Sequence, residues 1–491
     1  MPSVPDADRL LARHLAAFSG RTVLVLGDVM LDRYVHGDVR RISPEAPIPV
    51  LRARARRSVL GGAGNVAENA VALGASAILV GLVGDDDAAA EIAEVLSGRI
   101  GNALVPVAGR ATTVKTRFMS GGHQLLRLDE EDTAAAPGAA EQHLLAAFRA
   151  ALPTADVVVL SDYEKGVLSD AVLRAAIDAA RAAGKPVVVD PKRPRFEAYA
   201  GATVITPNVL EVSRATGLAA EDDAGAAQAG AIALAQAGAQ AVLVKRSEKG
   251  LTLVRAGEPP CHVPTRAVAV ADVSGAGDTL VTAFALALAA GAEMPEAAHL
   301  ANVAAGLAVA KPGTATVSRA ELAGALHRAE VLAIDSKVME LDDALAQVAA
   351  WRARGEKVGF TNGCFDLIHP GHVRLLAAAR AQCDRLVVGL NSDASVQRLK
   401  GPDRPVQSEA ARATVMASMA AADLVVLFAE DTPERLIRAI LPDVLIKGAD
   451  YTIDQVVGAD IVQAAGGRVA LIPLEAGHST TGTIRRINAG G

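Results

Sequence analysis

Two stretches of this sequence carry residue types whose spacing suits phosphate chemistry. In Asp272-Val-Ser-Gly-Ala-Gly-Asp-Thr279, small residues at Gly275, Ala276 and Gly277 permit a tight turn with open backbone N–H groups. The apolar run from Leu280 to Ala290 reads as a helix, so those groups fall at a helix N-terminus, which favours an anion. Asp278 sets a carboxylate beside that anion site, where it suits removal of a proton from an attacking hydroxyl. The reading is phosphoryl transfer, with Asp278 as base and Gly275, Ala276 and Gly277 as anion hole. The octapeptide alone also admits a glycine turn whose aspartate merely caps a helix. In the second stretch, Phe360-Thr-Asn-Gly-Cys-Phe-Asp-Leu-Ile-His369-Pro-Gly-His372, a strand runs into a glycine turn and Pro370 suits a first helical position. His369 and His372, three apart, can face one ligand there. Two imidazoles at a positive helix end suit a polyphosphate and a departing pyrophosphate. A zinc pair without an evident third ligand and two plain surface histidines are the competing readings.

Both stretches need strands to present them. The runs RTVLVLGD (21–28), ASAILVGLVGDD (75–86), ADVVVLSDY (155–163), KPVVVDPKR (185–193), ATVITPN (202–208) and AQAVLVKR (239–246) alternate with Ala-rich helical segments. That rhythm predicts an α/β fold with a mainly parallel sheet covered on both faces. Ligands of such sheets sit beyond the carboxyl ends of strands, so Asp28, Asp162, Asp190 and Asn208 are expected to converge with Asp278. Gly61-Gly62-Ala-Gly-Asn65 opens a helical stretch and lets backbone approach a sugar, with Asp28 and Asn65 as hydroxyl partners. The segment 112–132 is expected to be a β-hairpin excursion from the main sheet. Polar amphipathic helices between about 320 and 345 separate this half from a second strand set. Those strands are EKVGFTNGCFD (356–366), DRLVVGLNSD (384–393), ADLVVLF (422–428), PDVLIKGAD (442–450) and GRVALIPL (467–474). A boundary near 330 divides the chain into domains 1–330 and 331–491.

At 491 residues, two or three domains are expected. A hydrophobic content of 51% with 21% charged residues excludes a disordered chain. The net charge of −6, without a basic block, argues against a nucleic-acid partner. Cys261, Cys364 and Cys383 lie far apart without metal-ligand spacing, which fits a reducing cytoplasm. The first twenty residues carry acids and lack the continuous apolar core of a signal peptide. No apolar run approaches the roughly 20 residues that span a bilayer, so a cytoplasmic protein without a membrane partner is expected.

The segments GGAGNVAENAVALG (61–74), DVSGAGDT (272–279) and Asn208-Val209-Leu210-Glu211 together resemble the ribokinase-like carbohydrate kinases. The resemblance implies ATP as phosphoryl donor, Asp278 as base, and Asn208 to Glu211 organising Mg²⁺ and the ATP phosphates, with Glu211 acting on the metal indirectly. It implies sugar contacts at Asp28, Gly61, Gly62 and Asn65. It places Asn302 where the adenine pocket closes, with a helix-core role as the alternative, and it leaves room for a monovalent cation. The hairpin at 112–132 would be a lid that doubles as a dimer contact, implying a homodimer through the kinase domain. One departure stands out. Lys245-Arg-Ser-Glu-Lys-Gly250 occupies the place of the family's Thr-x-Gly-x-x-Gly, and Lys245 is read as a solvated lysine in preference to a phosphate partner.

The second stretch resembles the HxGH nucleotidyltransferases, the superfamily of the glycerol-phosphate cytidylyltransferases, and implies a Rossmann-like domain. Nucleotide or phosphate contacts are implied at Thr361, Gly363 and Phe365, and at Lys400 in LNSDASVQRLKG (390–401). Lys447 and Gly448 in VLIKGADY (444–451) and Ser479, Thr480 and Thr481 in HSTTGTI (478–484) complete the set. The pairing, with GDVMLDRYVHGDVRRISPEAPIPV (27–50) and TNGCFDLIHPGHVRLL (361–376), resembles the bifunctional heptose-phosphate kinase/adenylyltransferases. That resemblance implies phosphorylation of heptose 7-phosphate at O1, then, after an outside phosphatase, transfer of AMP from ATP to heptose 1-phosphate. The product would be ADP-heptose for lipopolysaccharide core. A substrate already bearing phosphate asks for a cationic pocket, for which Arg40, Arg41, Lys115, Arg117 and Lys192 are candidates that also read as solvated surface. Arg193 follows Lys192 where the family often has glycine. The rivals are a fusion acting on another phosphorylated sugar or polyol, and a non-catalytic sensor, in which Asp278, His369 and His372 would have been free to decay.

Overall fold

The computed structural model describes residues 4–96, 98, 100–265, 270–448 and 452–473. The chain divides into two compact units, one of Arg9–Leu326 and one that begins at His327. Thirteen strands build the first: β1 (Thr22–Gly27), β2 (Val29–Ile42), β3 (Pro49–Gly62), β4 (Ser76–Val83), β5 (Ile100–Pro106), β6 (Thr113–Ser120), β7 (His123–Glu130), β8 (Val157–Ser161), β9 (Val187–Asp190), β10 (Val204–Ile205), β11 (Ala241–Lys245), β12 (Leu251–Arg255) and β13 (Cys261–Val263). Nine of them form one sheet in the order β13-β12-β11-β10-β9-β8-β1-β4-β5. β5, β4, β1, β8, β9, β10 and β11 run parallel, and β12 and β13 add an antiparallel edge.

The continuous apolar runs of the central strands follow from burial on both faces. Val23 and Val25 of β1 and Val157 and Val159 of β8 join one core cluster, whereas their neighbours Leu24, Leu26, Val158 and Leu160 join the opposite one. The period-2 alternation of a strand makes this division. Helix Ala276–Ala289 is apolar all round and buried for most of its length, because it lies within the first of these clusters. Connections leave β1 toward β4 on one side and β8 on the other. Asp28 and Asp162 therefore stand at the crevice where strand order reverses.

The excursion from the main sheet is larger than the hairpin expected at 112–132. A separate four-stranded sheet has the order β3-β2-β6-β7. β6–β7 is the expected hairpin, and β2–β3 is a second, longer one paired from Val29↔Gly62 to Ile42↔Pro49. β2 lies parallel to β6, which joins the two hairpins. The outer parts of β2 and β3 are largely exposed, so they carry arginines and aspartates without the apolar alternation that marks a half-buried strand.

The second unit is one sheet of six parallel strands: β14 (Val338–Met339), β15 (Val358–Gly363), β16 (Arg385–Asn391), β17 (Leu424–Phe428), β18 (Val444–Gly448) and β19 (Arg468–Ile472). Their order, β14-β17-β16-β15-β18-β19, puts the reversal between β15 and β18. Two clusters again divide by strand parity, with Phe360 and Leu445 in one and Leu390 and Ile446 in the other. Among the described residues, no helix is long and apolar enough to cross a membrane.

Phe360 is fully buried on the central strand of this unit. Phe360→Ala is expected to cost about 3–5 kcal/mol. Differential scanning calorimetry should show the transition of the second unit lowered and that of the first unchanged.

Candidate active sites

Gly275 caps helix Ala276–Ala289 with φ 79°, a left-handed conformation that glycine alone adopts without strain. Space is tight for a side chain as well: a Cβ would meet Asn65 Nδ2 at 3.0 Å and Thr314 Cγ2 at 3.1 Å. Asp278 lies in the first turn, is buried, and does not serve as the cap. Its Oδ2 accepts from Asn65 Nδ2 at 2.6 Å and its Oδ1 from the Tyr163 hydroxyl at 2.9 Å. Burial raises this carboxyl to about 6 with help from Asp190, against the opposing pull of Asn65, Tyr163 and Lys245. Burial and the Asp278 charge hold the Tyr163 phenol far above its ordinary range, so it remains a donor. Asn69 donates to Asn65 Oδ1 at 3.1 Å and accepts from Thr279 Oγ1 at 2.8 Å, which fixes the amide that holds Asp278.

Several strand-end residues do something other than what their positions suggested. Asp28 is buried, and its carboxylate accepts from the backbone N–H groups of Tyr163, Lys165 and Val167. It therefore shapes the loop that delivers Tyr163 instead of meeting a ligand hydroxyl. Asn65 likewise gives its amide to Asp278. Close approach explains Gly61 and Gly62 without a sugar: a Cβ would come within 2.9 Å of Asp32 Oδ2 at the first and 2.4 Å of the Asp28 carbonyl at the second. Asp162 accepts from Tyr199 at 2.8 Å and from Arg193 Nε at 3.0 Å. Arg193 also bonds Asp170 and the Leu168 carbonyl, so its charge is spent on that loop. Lys245 is not a solvated lysine. It is largely buried and ion-paired with Asp190, and although burial works against its charge, Asp190 and Glu211 hold it above the usual lysine range.

Asn208 and Glu211 form a reciprocal capping box at the head of helix Val209–Thr216, with bonds of 2.9 and 2.8 Å. The other oxygen of that carboxylate takes Lys192 Nζ at 3.3 Å, so Lys192 lies beside the capping box. Asn208, Val209, Leu210, Ser213 and Ser247 line a cavity of about 680 Å³. Asn302 donates to the Pro264 carbonyl at 2.9 Å, tying its helix to the segment after β13. Of the basic candidates, Arg40 and Arg41 are exposed and Arg117 pairs with Asp32 at 2.7 Å. Lys115 lies 5.9 Å from the centre of the Tyr163 ring, where burial lowers its pKa. Tyr163 itself escaped the sequence reading, although it directly follows the strand-end Asp162.

In the second unit His369 caps helix Pro370–Arg380, and the rings of His369 and His372 stack 3.8 Å apart. Burial, His369 and Lys400 together push His372 down to about 4, so it is neutral at pH 7. The positive field of Lys400 that lowers it would also repel a zinc ion. Phe365, at φ 43°, is buried and packs edge-on against His372 at 5.2 Å, so it braces the histidine instead of facing a nucleotide. Thr361 Oγ1 and Asn362 Oδ1 are buried without a hydrogen-bond partner among the described residues. Lys447 Nζ reaches the Asn362 carbonyl at 3.3 Å from β18, with Gly448 next in line. The loop after β15 is braced by contacts the motif did not suggest: its Asp366 takes Arg404 at 2.6 Å, and fully buried Arg412 donates to the Cys364 carbonyl at 2.6 Å. Ser479, Thr480 and Thr481 lie outside the described residues.

The chain matches two family models, the pfkB family carbohydrate kinases over residues 21–321 and the cytidylyltransferase-like family over 360–472. It is 58% identical to the bifunctional protein HldE of Caulobacter sp. (strain K31), over 98% of this chain and 99% of that one. It is 51% identical to the protein of the same description from Rhodospirillum rubrum, over 99% and 98%. Phosphofructokinase-2 from Escherichia coli in complex with potassium shares the fold of the first unit, with a TM-score of 0.54 at 22% identity, covering 63% of this chain and 99% of that one.

An anion docked at this helix N-terminus should raise the proton affinity of His372. Titration of ¹³C-labelled histidines by NMR is expected to give a His372 pKa near 4 in the free protein. With ATP bound, it should rise by roughly 1–2 units.

Proposed function

This chain belongs to the family of the bifunctional protein HldE, and from that premise we propose which residues carry its two reactions. The enzyme is a heptose 7-phosphate kinase joined to a heptose 1-phosphate adenylyltransferase, working in the synthesis of a lipopolysaccharide precursor. The observation that carries the kinase assignment is the buried Asp278 carboxylate, raised to about 6 and aimed by Asn65 and Tyr163 beside the Gly275 turn. The O1 hydroxyl of the sugar faces Asp278. As the bond from O1 to the γ-phosphorus forms, the O1 proton passes to the carboxylate, and the bond to the β-γ bridging oxygen breaks with its electrons leaving on ADP. The N–H groups from Gly275 to Gly277 take up charge on the phosphoryl oxygens. Lys115, beside Tyr163, is the favoured partner of the phosphate the sugar already bears.

Asn208 and Glu211 offer oxygen donors of the kind Mg²⁺ takes, and because both Glu211 oxygens are engaged, that residue would act through water. When bound with ATP, the ion neutralises phosphate charge. Asn302 and the cavity beside Asn208 to Leu210 would hold the rest of the nucleotide.

In the second unit the sugar 1-phosphate oxygen attacks the α-phosphorus of ATP, and the bond to the leaving pyrophosphate breaks. Lys400 and Lys447 neutralise that leaving group, and His369 and His372 offer it hydrogen bonds. The unsatisfied Thr361 and Asn362 oxygens await partners on the ligand, and Ser479, Thr480 and Thr481 complete the phosphate contacts. We place the enzyme in the cytoplasm as a homodimer joined through the four-stranded sheet. Exposed Leu125, Leu126 and Leu128 on its edge strand support that contact.

Supplying each sugar separately with ATP tests the pair of reactions: ADP should form with heptose 7-phosphate and pyrophosphate with heptose 1-phosphate. Turnover with only some other sugar phosphate would overturn the heptose assignment. Asp278→Asn should lower kinase kcat by roughly 10²–10⁴-fold and leave adenylyl transfer intact, while His372→Ala should do the reverse. The kinase kcat/KM should fall as pH drops below about 6, where Asp278 takes up a proton. Tyr163→Phe removes a hydrogen bond that favours the carboxylate, so this acid limb should move to higher pH.

A further inference from the structure

We propose that Lys245 is a catalytic residue of the kinase unit, whose ammonium donates to the phosphoryl group in transit over Gly277, and that Asp190 is the positioning residue that aims it. The inference rests on the assignment of Asp278 as the base. Lys245 ends β11 and forms a parallel bridge with Asn208, the cap of the proposed nucleotide segment. Its side chain turns inward and reaches the other side of the site. Among the described residues, and apart from Gly277's chain neighbours and its own helix backbone, the only atom within 4 Å of a Cβ built on Gly277 is Lys245 Nζ, at 3.8 Å. The space above the anion-hole glycine is thus open and has an ammonium for a wall.

Charge and hydrogen-bond capacity point the same way. The groups facing Lys245 are Asp190 from β9, Glu211 from helix Val209–Thr216 and Asp278 from helix Ala276–Ala289. Asp278 in turn faces Asn65, Tyr163 and Asp190, and Glu211 carries Lys192. Three carboxylates around a phosphate site would repel an incoming polyphosphate without a cation among them. An ammonium has three donors, and the pairing with Asp190 takes one, leaving two for phosphoryl oxygens. The Asp190 oxygen that receives Lys245 also accepts from Thr206 Oγ1 at 3.0 Å, which fixes the carboxylate and so the direction of the ammonium. A lysine engaged only in structural pairing would have no reason to border the open face of Gly277. The ammonium also stabilises the charged form of Asp278, so one residue serves the transferred group and the protonation of the base together.

The test is the kinase kcat, both KM values and the pH profile of full-length Lys245→Met, Lys245→Arg, Asp190→Asn and Asp278→Asn. Thermal melts of each variant report folding of the first unit. Lys245→Met should lower kcat roughly 10²–10³-fold, the scale of one lost preorganised donor, with KM for the sugar phosphate little changed. Its residual activity should show an acid limb displaced to higher pH. Lys245→Arg should recover part of kcat, and Asp190→Asn should lose kcat with its acid limb moved the other way, to lower pH, because the Asp190 charge helps to raise Asp278. The proposal is overturned if Lys245→Met keeps kcat within threefold of the parent, or if its acid limb stays in place. A loss accompanied by an unfolded first unit, with Lys245→Arg folded and equally inactive, overturns it too. If Asp278→Asn is dead while Lys245→Met is active, only this inference fails. If Asp278→Asn is active, the assignment of the base fails with it.

Discussion

The first unit depends on a carboxylate kept out of water. Removing Asp278 from solvent raises its proton affinity toward the range where a base can both hold and release a proton. The same burial would be costly if the two oxygens were not satisfied, so the Asn65 amide and the Tyr163 hydroxyl must be fixed in place. Much of the surrounding polar structure follows from that need. Asn69 and Thr279 lock Asn65, and Asp28 gathers three backbone N–H groups to hold the Tyr163 loop. The left-handed Gly275 turn brings the helix start so close to Asn65 that a side chain there would press on its amide.

The second unit meets the opposite requirement with the same physics. It must receive a highly charged anion, and it keeps a titratable imidazole beside the helix start. Burial, His369 and Lys400 leave His372 neutral at pH 7, and a docked phosphate would raise its proton affinity. Buried Thr361 and Asn362 oxygens without partners are tolerable only in a site that a polar ligand completes. Both units place these groups where strand order reverses, since there the helix starts and strand ends diverge and leave a crevice.

Motif residues were legible where function forces a residue type and a backbone shape together. Gly275 to Asp278 and His369-Pro-Gly-His372 are of that kind, since a left-handed turn at a helix start and a stacked imidazole pair at another depend on those residue types at that spacing. Strands buried on both faces were legible too, because period and apolar content leave few alternatives. The β2–β3 hairpin was not, since a solvent-exposed sheet imposes no apolar alternation and VMLDRYVHGDVRRI shows none across its length. Asn208-Val-Leu-Glu211 was visible as a motif, but the reciprocal capping bonds between Asn208 and Glu211 belong to the folded helix start.

By itself, the sequence determined the strand-helix alternation, the two sets of strands and the residue types at each anion-binding helix start, because these are local or periodic properties. Tertiary structure alone decided what each charged side chain faces. Asp28, Asp162, Asp190 and Asp278 all carry carboxylates in the first half of the chain, but one orders a loop, one holds Tyr199 and Arg193, one holds Lys245, and one is left aimed at an open site. Tyr163 and Lys245 gain their importance only from neighbours 115 residues away in one case and 55 in the other. Electrostatic environment depends on distance through space and on exclusion of water, and neither is written in the spacing of residues along the chain.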